Sequence, residues 1–148
     1  MKPRGDQGSA AVEFVAIGVL LMVPLIYFIV TMSRVQAASF AADSSARVAA
    51  RALVTAADEA DGRRRAAIAV RLGLLDQGFT DSRDVTLAVE CEKEDCLTPG
   101  SRVEVRVEVR VALPAIPRFI NDALATEVTV RAAQVAVVDE FRAQGGTS

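Results

Sequence analysis

Few residues in this chain are placed to do chemistry. One carboxylate, Glu13, stands directly ahead of an apolar run, Phe14 to Ser33 (FVAIGVLLMVPLIYFIVTMS), that carries no charge. An ionised side chain at the edge of such a segment costs about 2.5 kcal/mol or more if it is drawn toward a bilayer centre without a partner. Glu13 therefore calls for a cation. The other candidates are Cys91 and Cys96, separated by Glu92-Lys93-Glu94-Asp95.

Histidine is absent, which removes the commonest general base and the commonest metal ligand together. There is no GxSxG, GxxxxGK[ST] or GxGxxG run, and two cysteines cannot complete a four-ligand zinc site. Glu90, Glu92, Glu94 and Asp95 concentrate charge, but without the ligand spacing of a Ca²⁺ loop. The expectation is a structural or interaction protein, with no catalytic residue, metal or cofactor. Lys and Arg total 17 against 19 Asp and Glu, a net charge of −2, so nucleic acid is not an expected partner.

The elements that position these residues follow from pattern. At about 1.5 Å per residue, Phe14–Ser33 is long enough to cross a hydrocarbon layer of about 30 Å. Lys2 and Arg4 precede it. The positive-inside bias then places the amino terminus in the cytoplasm and everything after Arg34 outside, although Arg34 itself opposes that bias. Gly18 and Pro24 lie inside the run, where a membrane helix tolerates them, with a bend expected near Pro24.

Within Arg4–Phe14 (RGDQGSAAVEF), a glycine is followed by small residues and then by a carboxylate five positions on. The stretch Gly8-Ser9-Ala10-Ala11-Val12-Glu13-Phe14 resembles the processing site of the type IV pilin superfamily. It is most similar to the TadE-like pilin family of the tight-adherence pilus system. The resemblance covers about the first 35 residues closely, and the remainder in architecture only.

The resemblance implies a minor pilin or pseudopilin of the cytoplasmic membrane or of a surface pilus used in adhesion or secretion. Residues 1–8 would be a cytoplasmic leader that a prepilin peptidase removes after Gly8, leaving Ser9 first and Glu13 fifth in the mature chain. Its further partners would be other pilin subunits, met through the amino-terminal helix, and the assembly machinery with its ATPase. Cleavage would create an α-ammonium four residues from Glu13. In staggered parallel helices that ammonium reaches the carboxylate of the next subunit, so Glu13, with Phe14 beside it, would set register.

Two other readings compete. In one the chain is an uncleaved single-pass anchor carrying an external binding domain, with Glu13 in the headgroup layer. In the other, Val35-Gln36-Ala37 is a signal-peptidase site, but the apolar region is longer than usual for that and Arg34 stands close to the cut.

Past the membrane, Val35–Ala57 is rich in alanine with no Gly or Pro, so one helix is expected over residues 9–57, membrane-spanning over 14–33. Val35, Ala38, Ala42, Ala49, Leu53 and Ala56 share a face, while Asp43 and Arg47 form an i, i+4 pair on another. Phe40 falls beside the charged stripe. Asp58–Gly62 reads as a break with a capping acid, and Arg63–Leu75 as a short second helix closed by Gly78.

Three strands follow by alternation: Val85 to Cys91, Val103 to Val111 with Glu104, Arg106, Glu108 and Arg110 between, and Val128 onward, with a bulge expected near Ala133 and Gln134. Pro114–Ile120 reads as a loop with a turn of helix from Pro117, and residues 142–148 as a frayed tail. Cys91 and Cys96, in an oxidising compartment on this topology, are expected to form a disulfide behind the first strand. The architecture expected is α+β and pilin-like, with residues 58–141 as an extracytoplasmic domain.

Overall fold

The computed structural model describes residues 7–80, 84–112 and 127–142. In chain order these form α1 (Gln7–Val54), α2 (Glu59–Asp76), β1 (Val85–Cys91), β2 (Arg102–Ala112) and β3 (Glu127–Val137). The fold is α+β. The chain divides into two compact units, one ending at Arg34 and one beginning at Val35. The first comprises the amino-terminal part of α1. The leader up to Asp6, the loop Pro114–Ile120 and the tail beyond Arg142 lie outside the described residues.

In the second unit the three strands form one antiparallel sheet in the order β1-β2-β3. The alternation in β2 decides its faces: Val103, Val105, Val107, Val109 and Val111 are buried, whereas the intervening Glu and Arg residues point away. The last turns of α1, together with α2, cover the valine face in a single apolar cluster. From α1 this cluster takes Ala38, Ala42, Ala49 and Leu53, as the helical period requires, and also Ala41, Ala46 and Ala50. The buried stripe is wider than the sequence pattern because α1 packs against two elements, α2 and the sheet. Val35 is only half-buried.

α1 ends at Val54 rather than Ala57, and α2 begins four residues earlier than the Arg63 expected from the sequence. Asp58 is the N-cap, its carboxylate accepting a hydrogen bond from the Asp61 amide at 2.8 Å. Gly62, expected to be part of the break, is instead inside the helix and buried against Leu53 and Ala56. Glycine lets the two helices meet there at backbone distance. α2 ends at Asp76, and Gly78, with φ +83°, closes the turn that follows: the Gly78 amide bonds to the Leu75 carbonyl (2.9 Å) and that of Phe79 to Leu74 (3.0 Å).

The bulge expected in β3 does not occur. Pairing with β2 runs unbroken from Arg102↔Val137 to Ala112↔Glu127. The parity is held by Gln134, which takes an inward position and donates from its amide to Asp43 at 3.2 Å. With its polar group partnered there, Val135 and Val137 are left pointing outward, 60% and 56% exposed. The frayed tail is also corrected at its first residue. The Arg142 guanidinium donates to the carbonyls of Val54 (3.2 Å), Ala56 and Ala57 (2.7 Å), closing the end of α1 with a cation where the helix dipole favours one.

Candidate functional site

Gly8 and Ser9 lie in the first turn of α1, and Glu13 and Phe14 follow in its second. A first turn has backbone N–H groups without helical partners, so it is the part of a helix that unwinds at least cost. Glu13 and Phe14 are both exposed, Phe14 at 79%. Among the described residues no salt bridge reaches Glu13.

Beyond Glu13 the helix continues through Pro24 without a break. Its large apolar side chains are uncovered, with Leu20 74%, Leu21 66% and Phe28 64% exposed. A core helix of a soluble protein would have these buried. Fifteen such residues between Val12 and Met32 are exposed, and burying an aliphatic or aromatic side chain is worth about 1.5 kcal/mol or more. The sum, roughly 20 kcal/mol, exceeds the whole stability of an ordinary domain. Only lipid or neighbouring apolar helices can meet a demand of that size. Ser33 Oγ donates back to the Ile29 carbonyl (2.9 Å), which satisfies a hydroxyl without water. This helix fits a single-pass membrane anchor.

The family model described as TadE-like protein matches residues 8–51. The amino-terminal segment of this chain is TadE-like. The match begins at Gly8 and takes in Glu13, the apolar run and the alanine-rich part of α1 as far as Arg51. No curated protein and no solved structure matches the chain.

Cys91 and Cys96 are joined in a disulfide, with a Cα–Cα distance of 5.1 Å. It ties the end of β1 to the loop that leads into β2. Glu92 and Arg102 add a reciprocal clasp: the Glu92 amide donates to the Arg102 carbonyl, and the Arg102 amide to Glu92 Oε2, both at 3.0 Å. Asp95 turns the loop by accepting from the Leu97 amide at 3.0 Å. These acids serve the loop's own backbone, and no cluster of metal-ligating side chains occurs among the described residues. Arg63 of α2 reaches Cys96 Sγ at 3.6 Å.

Several contacts within the second unit go beyond those expected from the sequence. The arginine run on α2 spends its charge locally: Arg63 pairs with Glu59 at 2.7 Å, and Arg64 and Arg65 both pair with Asp61. On the outer sheet face Arg106 bridges Glu104 (2.7 Å) and Glu90 (2.9 Å). The Glu104 hydrogen bond, followed by the charge of Glu90, raises its pKa above the ordinary arginine value. The Arg142 clamp and the Asp43–Gln134 bond join residues far apart in the chain. A helical-period signal was present for one further feature, the exposed Ile68, Leu72 and Leu75 of α2.

Proposed function

We propose that this chain is a minor pilin or pseudopilin of a tight-adherence pilus, cut after Gly8 by a prepilin peptidase and held among other subunits by its amino-terminal helix. The observation that carries the reading is Glu13, placed directly ahead of an uncovered, charge-free helix within the TadE-like segment. The amino terminus is cytoplasmic and the second unit lies outside, as Lys2 and Arg4 direct. The protein acts by packing, not by chemistry.

In the mature chain the new α-ammonium of Ser9 sits at the positive end of the helix dipole and favours a nearby carboxylate. Glu13 of a neighbouring subunit, shifted by about one helical turn, supplies it. Removing one partner of a buried ion pair costs about 3–5 kcal/mol, so Glu13→Ala should lower incorporation into filaments by on the order of 100-fold while leaving cleavage intact. Unchanged incorporation would refute the register role.

The decisive measurement is the intact mass of membrane-extracted protein. Ser9 as first residue supports the reading. Met1 retained refutes processing and leaves a single-pass anchored binding domain; Ala38 first makes the product a secreted domain.

A further inference from the structure

The disulfide between Cys91 and Cys96 joins two sulfurs in unlike surroundings. Cys96 is 2% exposed and belongs to the buried apolar cluster, whereas Cys91, at the end of β1, is half-buried at its rim. A second asymmetry is electrostatic. Arg63 Nη2 of α2 lies 3.6 Å from Cys96 Sγ, and among the described residues no other cation donates to either sulfur. The other edge of this guanidinium is fixed, because Nε pairs with Glu59 at 2.7 Å. The charge is therefore held in place before any develops on the sulfur.

Thiol–disulfide exchange has a direction: a thiolate attacks one sulfur, and the other leaves with the bonding electron pair. The attacked sulfur must be open to the incoming group, and the leaving one must tolerate negative charge. Cys91 meets the first condition. Cys96 meets the second, since a neighbouring guanidinium favours thiolate over thiol. Attack in the opposite sense would require entry through the core. It would also leave the charge on Cys91, between Glu90 and Glu92 in the chain and without Arg63.

We propose that Cys91 is a site of S-thiolation, where an external thiol forms a mixed disulfide, and that Cys96 is the resolving thiolate, with Arg63 as its positioning residue. The forward step breaks the bond between Cys91 and Cys96, forms one between Cys91 and the incoming sulfur, and leaves the electron pair on Cys96 Sγ. No net oxidation occurs. In the return step Cys96 attacks Cys91 and expels the thiol as its thiolate. The loop is built for return. Ser101, 1% exposed, donates from Oγ to the Cys96 carbonyl at 3.2 Å, and the reciprocal bonds of Glu92 and Arg102 hold the end of β1. None of these needs the bond between the sulfurs, so the two stay close and closure remains intramolecular.

The test is a short pulse of 2-mercaptoethanol on the oxidised full chain in detergent micelles, stopped with acid and mapped by mass spectrometry. This thiol is neutral, so the acids of the loop do not steer its approach. The expected adduct sits on Cys91, in roughly tenfold excess over Cys96 or more. Adduct on Cys96, an even mixture, or none at all would each overturn the assignment. Arg63→Gln should slow adduct formation roughly threefold, and Arg63→Lys should restore most of the rate, since the charge is what the two cations share. Equal rates for the wild type and Arg63→Gln, or no recovery with lysine, would remove Arg63 from the role. When the thiol is diluted away before the acid, the adduct should disappear as the original disulfide re-forms. A lasting adduct would show that Cys96 does not resolve it.

Discussion

Two glycines on α2, Gly62 and Gly73, face α1, and alanine should have opposite effects at the two positions. Glycine to alanine inside a helix gains about 1 kcal/mol from propensity alone. At Gly73 the new Cβ would overlap Ser45 Oγ, but that hydroxyl is buried without a hydrogen-bond partner and can turn about χ1, away from α2. The overlap is relieved at small cost, so Gly73→Ala should stabilise by about 0.5 kcal/mol or more. At Gly62 the Cβ would lie 3.1 Å from the Leu53 carbonyl oxygen, 3.2 Å from the Ala56 Cβ and 2.9 Å from Leu53 Cδ1. Backbone cannot rotate aside, so the helices must part. Overpacking of this kind costs about 1–3 kcal/mol, leaving Gly62→Ala destabilised by about 1 kcal/mol after the propensity gain. Urea denaturation of the detergent-solubilised protein, read by pulse proteolysis, should separate the two variants by about 1.5 kcal/mol. Equal stabilities, or the reverse order, would refute the claim that backbone contact at Gly62 sets the distance between the helices.

Arg142→Ala removes the donor to three carbonyls at the end of α1. It should cost about 1–2 kcal/mol and accelerate hydrogen exchange in the last turn of α1, with the sheet amides little changed. Replacing Cys91 and Cys96 together by alanine should lower stability by about 2 kcal/mol, as expected for so short a closed loop, with faster exchange concentrated at Thr98 and Ser101. Asp58→Ala should cost about 1 kcal/mol through loss of the α2 N-cap, and Asp58→Asn should recover most of it; equal melting of the two variants would show that the cap bond contributes nothing.

These perturbations also separate assembly from folding. The variants at Gly62, Arg142 and Cys91/Cys96 act inside the second unit. Glu13 is exposed, so a substitution there should change partnership with little loss of stability.

Much of this protein was legible in one dimension because its strongest signals are periodic and local. Twenty residues without charge are long enough to span a membrane, and strict alternation in β2 names a sheet with one buried face, since a strand's side chains cannot do otherwise. Gly8, Ser9 and Glu13 could be singled out for the same reason, since they stand next to the apolar run in the chain. The cysteine pair was readable because only four residues separate the two thiols.

What tertiary structure decided are the places where a residue's partner is remote. Gln134 looks like a break in the β3 pattern until Asp43, ninety-one positions away, supplies its hydrogen bond; the strand then stays regular and Val135 and Val137 turn outward. Gly62 and Asp58–Asp61 look like a loop until Leu53 and Ala56 require a residue without a side chain at that point of α2. Arg142 looks like the start of a tail until the ends of α1 and β3 meet. Pattern records which face a residue presents, because that depends on the backbone period. Which group meets that face depends on chain closure over long separations, and only the folded unit specifies it.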